Sequence, residues 1–337
     1  MPRKPIFVAC VAVGCLAVPA LAAEPAGSWA GKRVMVARWD AELKTGTRVL
    51  GRVPLGAVLE VSRVNGPWLW IQSQRAWIQA SDVVLYDQAI DHFTAAIARN
   101  PSSDAYHRRA AARIAMSRFD EALADLDEAI RRDGNNVSAR NDRGNLLRKL
   151  GKPDQALADF NRILATGVRH PAVYVNRGLV WHDKGDYDRA LADYNQAIAL
   201  DAKFAPAWEA GGSARQARGE LRKAIENFRR AIELDPKFAR AHNNLAWLLA
   251  TCADGELRDG KQAVEHATKA CELVDFRDAE YLDTLAAAHA ESGQFEQAVM
   301  RAKEAIEKAA PAQKAIIQKR LERYEARKPY REPKAGS

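Results

Sequence analysis

The sequence holds seven histidines and, beyond its first thirty residues, two cysteines, Cys252 and Cys271. These are the side chains best suited to acid–base, metal or thiol chemistry, and their spacing decides whether they can perform it. His92, His107, His170, His182, His242, His266 and His289 are scattered. Glu265 precedes His266, but no second histidine stands one helical turn away, so the H-E-x-x-H zinc pair is absent. His182 and Asp183 are adjacent, and adjacent residues on a helix point apart rather than orienting one another as base and carboxylate. No G-x-S-x-G elbow occurs. No glycine loop followed by lysine lies between a strand and a helix, so a phosphate cradle is not expected. These patterns call for no catalytic residue, metal or cofactor, and the sequence points to binding rather than to an enzyme.

The elements that carry these residues fall into distinct textures. Met1–Pro5 is a short basic region, Ile6–Val18 is an apolar run, and Ala20 and Ala22 follow in A-x-A spacing. This is the layout of a secretory signal peptide over residues 1–22. An uncleaved anchor is the alternative, although the run is short for a membrane span. Ala12–Cys15 resembles a lipobox, which gives a lipoprotein as a third reading. A periplasmic or extracellular location is expected, with no membrane span after cleavage. The formal net charge of +8 falls to about +6 without Arg3 and Lys4. Basic residues are interleaved with acidic ones, so no nucleic-acid surface is implied.

Residues 29–86 are rich in Val, Ile, Leu and Trp in short runs punctuated by Gly46, Gly51, Gly56 and Asn65-Gly66. Alternation with turn residues predicts about five short antiparallel strands, and a small closed barrel would remove their edges. Gly56–Val61, Asn65–Ile71 and Ala76–Ile78 resemble bacterial SH3-like domains, with Arg75-Ala76 where that family has a glycine. The resemblance implies an SH3-like β-barrel. Trp68 and Trp70 share one face of their strand, and some of the tryptophans are expected in the core. Trp39 lies in a polar stretch beside Asp40 and Glu42, a candidate barrel surface for a peptide or a cell-wall fragment. The alternative is that the module only packs on its neighbour.

Beyond residue 102 a period governs the sequence. Gly144, Gly178 and Gly212 are 34 residues apart, as are Gly151, Gly185 and Gly219, Ala156, Ala190 and Ala224, and the aromatics Phe160, Tyr194 and Phe228. A fixed period of this length marks a stack of helix pairs. Small residues at Gly178 and Ala190 let paired helices approach closely, and Gly185 sits in the turn. The pattern resembles the tetratricopeptide repeat (TPR), and it implies a mainly α, right-handed superhelical solenoid of helix–turn–helix units. The units run 103–136, 137–170, 171–204, 205–238, 239–277 and 278–312, and Ser117 replaces the turn glycine in the first. Residues 87–102 form a capping or linker helix, Ala253–Gly260 is a longer loop, a charged capping helix closes the solenoid at 326, and 327–337 is a flexible tail.

The resemblance also implies a concave groove lined by first helices. Its positions fall on His107, Asn141, Asn145, Arg148, Lys149, His182, Asp183, Glu209, Gln216, Asn243 and Trp247. The lysine of the family's carboxylate-clamp subclass is missing at His107. Arg148 and Lys149 still favour an acidic segment at their end of the groove. Cys252 and Cys271 end antiparallel helices and would lie about 15 Å apart, too far for a disulfide. The expectation is a non-catalytic scaffold of the cell envelope that binds a protein or peptide in the groove. The alternative is a cell-wall adaptor whose SH3-like module binds peptidoglycan or its peptides while the helices recruit a partner.

Overall fold

The computed structural model describes residues 29–332. The signal peptide expected over residues 1–22 and the last residues of the tail, 333–337, lie outside them. The described chain forms two compact units that meet at Gly134 and Asn135.

The first unit begins with eight short strands: β1 (Arg33–Val36), β2 (Glu42–Thr45), β3 (Arg48–Arg52), β4 (Val58–Glu60), β5 (Arg63–Asn65), β6 (Trp68–Ile71), β7 (Ala76–Gln79) and β8 (Val83–Leu85). They do not close into the expected SH3-like barrel. They form two open sheets, ordered β4-β1-β8 and β3-β2-β7-β6-β5. The chain changes sheet between two consecutive residues: the Val61 amide donates to Lys32 O and the Ser62 amide to Trp70 O. β3 is left as an edge with all five residues exposed. Pro54, just after it, has no N–H to offer a neighbouring strand, and Gly56 and Ala57 exchange backbone hydrogen bonds with Val36 instead.

Alternation holds in β6, but the faces are the reverse of a tryptophan core. Leu69 and Ile71 are fully buried while Trp68 and Trp70 are half-exposed. Trp70 instead pairs across strands with Trp77, ring centroids 5.2 Å apart. The core between the sheets is mostly aliphatic, with Val34, Val36, Leu59, Val61, Leu69, Ile71 and Ile78, and Trp29 is the tryptophan buried among them. α1 (Ala89–Arg99), α2 (Ser103–Ala115) and α3 (Phe119–Arg132) complete this unit. Met35 and Ala37 pack with Ala89, Phe93 and Ala112, which ties the strands to α1 and α2.

The second unit is a run of paired helices. They are α4 (Val137–Lys149) with α5 (Pro153–Ala165), α6 (Pro171–Asp183) with α7 (Tyr187–Leu200), and α8 (Ala205–Ala217) with α9 (Leu221–Leu234). α10 (Ala239–Thr251) with α11 (Gly260–Leu273), and α12 (Ala279–Glu291) with α13 (Phe295–Lys308), follow, and α14 (Pro311–Glu325) ends the unit. Gly185 turns between α6 and α7 with φ +76°, a left-handed conformation that suits glycine. Ser117, at the same place between α2 and α3, is held at φ +60°. Gly178 lies against the Tyr194 ring, where an added Cβ would come within 2.5 Å of Cε1.

A second periodic feature locks the helix pairs. Arg177 donates Nε and Nη2 to the two oxygens of buried Asp193 at 2.9 and 2.6 Å. Arg143 holds Asp159 in the same way, and within the first unit Arg109 holds Asp125. In the next pair both partners change together: Gly211 stands for the arginine and Asn227 for the aspartate, and a Cβ at Gly211 would meet Asn227 Nδ2 at 2.8 Å. Bidentate arginine–carboxylate pairs fix geometry as well as charge.

Residues 252–259 form the longer loop, pinned by Arg258, which donates to the carbonyls of Cys252 and Ala253 and to Glu291. Cys252 and Cys271 are free and buried. Burial raises both thiols, Cys271 to about 12.

Candidate partner-binding groove

In the second unit the first helices of successive pairs present polar side chains to a cavity of about 500 Å³. α6 contributes His182, α8 Ser213 and Gln216, α10 Asn243, Asn244 and Trp247, and α12 Glu280, Asp283 and Thr284. α14 closes one side with Gln313, Ile316, Ile317 and Arg320. Four residues picked from the sequence, His182, Gln216, Asn243 and Trp247, therefore meet in one place.

Glu209 is not a free groove ligand. It is 2% exposed and accepts from Arg240, from Asn244 Nδ2 at 2.8 Å and from Ser213 Oγ at 3.2 Å. Burial raises its carboxyl, and Arg240 opposes that rise. The result is a buried knot joining α8 to α10 that sets Ser213 and Asn244 on the cavity wall.

The remaining candidates sit elsewhere. Asn141 accepts from Asn176 Nδ2 at 2.9 Å, linking α4 to α6. Asn145 is half-buried and Lys149 exposed on α4. Arg148 donates to Asp183 at 2.6 Å, so these two neutralise each other. His107, in the first unit, is 7% exposed within α2. In the turn between β1 and β2, Trp39 is 65% exposed. Asp40 is gripped by Arg38 through two hydrogen bonds, which hold its carboxyl below the usual range, and Glu42 pairs with Lys44 at 3.2 Å.

Sequence reasoning missed the α12 and α14 walls. Glu280, Asp283 and Thr284 are the counterparts, one unit on, of Arg240, Asn243 and Asn244. The inserted loop hides this register. Nothing in the repeat period marks the α14 residues. The tail was also read differently. As far as Glu332 it packs on α10 and α12: Trp247 Nε1 donates to Glu332 Oε1 at 2.7 Å, the Glu332 amide donates to Thr251 O, and Arg331 pairs with Glu291. The Arg320 guanidinium lies over both the Trp247 and Tyr330 rings, 4.8 and 5.0 Å from their centroids.

Comparison with known proteins agrees with this architecture. The tetratricopeptide-repeat family pattern matches residues 85–137 and 141–203, and a second TPR pattern matches 212–250. Over residues 85–250 the paired helices are therefore of the tetratricopeptide-repeat class. No curated protein matches the sequence. Among solved structures, the TPR array resembles the APC/C hetero-tetramer Cut9–Hcn1 at TM-score 0.60 and 15% identity, covering 70% of this chain and 46% of that one. Yeast Tom70 matches at 0.55 and 19%, covering 70% and 50%. A tetratricopeptide repeat protein from Parabacteroides merdae matches at 0.52 and 17%, covering 71% and 92%. At these identities the likeness is one of fold. Among the described residues, no group of three or more His, Cys, Asp or Glu side chains is placed to hold a metal ion, and no helix is long and apolar enough to cross a membrane.

Proposed function

We propose that this protein is a non-catalytic scaffold whose TPR array binds a segment of another protein in the cavity between α6 and α14. The observation that carries this reading is the cavity wall itself. Successive first helices supply amides, hydroxyls and one indole around about 500 Å³ of space. Such groups hydrogen-bond a polypeptide in both directions, since an amide side chain both donates and accepts. An acidic partner at Arg148 is not part of the proposal, because Asp183 already occupies that guanidinium. The basic, apolar and small-residue order of residues 1–22 supports a cell-envelope location as part of this proposal.

The test is photo-cross-linking in the native envelope fraction, with a photoreactive residue at Gln216 or Gln313 on the cavity wall and at exposed Arg222 on α9 as control. A discrete protein adduct at 216 and 313, absent at 222, supports the proposal. Adducts that are equal at all three positions, or found at 222 alone, refute it.

A further inference from the structure

The cavity wall is unbalanced in its hydrogen bonding, and the imbalance has a chemical sense. Asn243 and Asp283 are 2% and 5% exposed, yet Asn243 Oδ1 and Asp283 Oδ1 are buried without a donor. Buried acceptors normally find one. On the same face of α12, one turn earlier, the carboxylate of solvent-exposed Glu280 makes no hydrogen bond or ion pair among the described residues. Asp278 and Arg240 act on it only through space, and Arg240 is committed to Glu209. Burial raises the Asp283 carboxyl to about 6, even though Arg320 binds its other oxygen, and partial desolvation with Asp278 nearby raises that of Glu280. Beside these oxygens lie Trp247, Ile316 and Ile317, and Ile316 is 54% exposed.

Resting on the scaffold reading, we propose that this end of the cavity takes the side chain of a lysine from the bound partner. An ammonium offers three donors in any rotation, which suits three acceptors on three separate residues. Its four-carbon stem suits Ile316, Ile317 and the indole. A guanidinium from the partner fits less well: Arg320 already covers the face of Trp247 and occupies one edge of the Asp283 carboxylate. With Asp283 balanced by Arg320 and Glu209 by Arg240, Glu280 gives the cavity a net negative charge for the ammonium to neutralise.

The experiment uses the chain from residue 23 to 337 and three small probes: Nα-acetyl-lysine methylamide, its Nε-acetylated form, and the norleucine analogue. Amide and indole NMR shifts are followed to 20 mM probe. The expected result is saturable shifts at Asn243, Glu280, Asp283 and the Trp247 indole with the lysine probe. Binding by the other two probes is expected to be at least tenfold weaker, and Glu280→Gln should reduce lysine binding about tenfold while leaving the thermal midpoint unchanged or raised. Equal binding of the acetylated or norleucine probe, no effect of Glu280→Gln, or no saturable shifts with the lysine probe overturns the proposal. The cross-linking test above then shows whether the scaffold reading falls with it: a discrete adduct at 216 and 313 leaves the partner site standing without a lysine.

Discussion

A single methyl group at Gly178 tests how closely α6 and α7 are fitted. The added carbon would lie 2.5 Å from Tyr194 Cε1, 2.9 Å from Cδ1 and 3.1 Å from Cζ. Tyr194 is fully buried, so its ring has no open space to swing into. Overpacking of this kind costs about 1–3 kcal/mol, and the first distance lies well inside normal contact, which argues for the upper part of that range. Alanine returns about 1 kcal/mol through its helix propensity. Gly178→Ala is therefore expected to destabilise the second unit by about 2 kcal/mol. Removing the ring reverses the sign. Tyr194→Ala alone should cost about 3–5 kcal/mol through the cavity it leaves, and in that background Gly178→Ala should gain about 1 kcal/mol. Urea unfolding of the four proteins, followed by circular dichroism, completes the cycle. If Gly178→Ala is neutral in the native background, or equally costly with and without the ring, the close-approach argument is wrong.

Three further outcomes follow from the same coordinates. Asp193→Ala strands the Arg177 guanidinium and should cost about 3 kcal/mol, whereas Arg177→Met with Asp193→Leu should come within about 1 kcal/mol of the parent in urea titrations. Ser117→Gly should stabilise the first unit by about 0.5–1 kcal/mol, since it relieves a left-handed φ of +60°; hydrogen exchange in α2 and α3 would report it. The Asp283 carboxyl, raised by burial to about 6 despite Arg320 and with Glu280 adding to the rise, binds its proton more tightly folded than unfolded. Its contribution is thus complete below about pH 4 and is lost as pH rises through about 6, a change of up to about 3 kcal/mol. Asp283→Asn should gain stability over the parent across that window, and the carboxyl carbon should titrate near the same midpoint by NMR.

What the sequence revealed depended on whether a contact repeats. Gly151, Gly185 and Gly219 recur because each helix pair needs the same turn, and Tyr194 recurs with Phe160 and Phe228 because each packs on its own glycine. The Arg143–Asp159 and Arg177–Asp193 pairs carry the same period and were open to the same reading, but charged residues in a helix are easily taken for a wet surface. The α14 wall has no such signal. Arg320 meets Trp247 and Asp283 through tertiary packing at the end of the array, where no further repeat sets the spacing. The strands show the same limit. Alternation in β6 was legible, but which face is buried and which strand pairs with which was not. The sheet change between Val61 and Ser62 rests on two hydrogen bonds that leave no mark in composition.

The docked tail has a practical consequence for anyone who handles this protein. Glu332 is tied to the Trp247 indole, and only residues 333–336 separate it from Ser337 in the sequence. A purification handle fused after Ser337 would be tethered five residues beyond that contact, near enough along the chain to compete for the surface under study. The same position is a good place for a dye, because occupancy of the cavity would be reported by quenching against that indole.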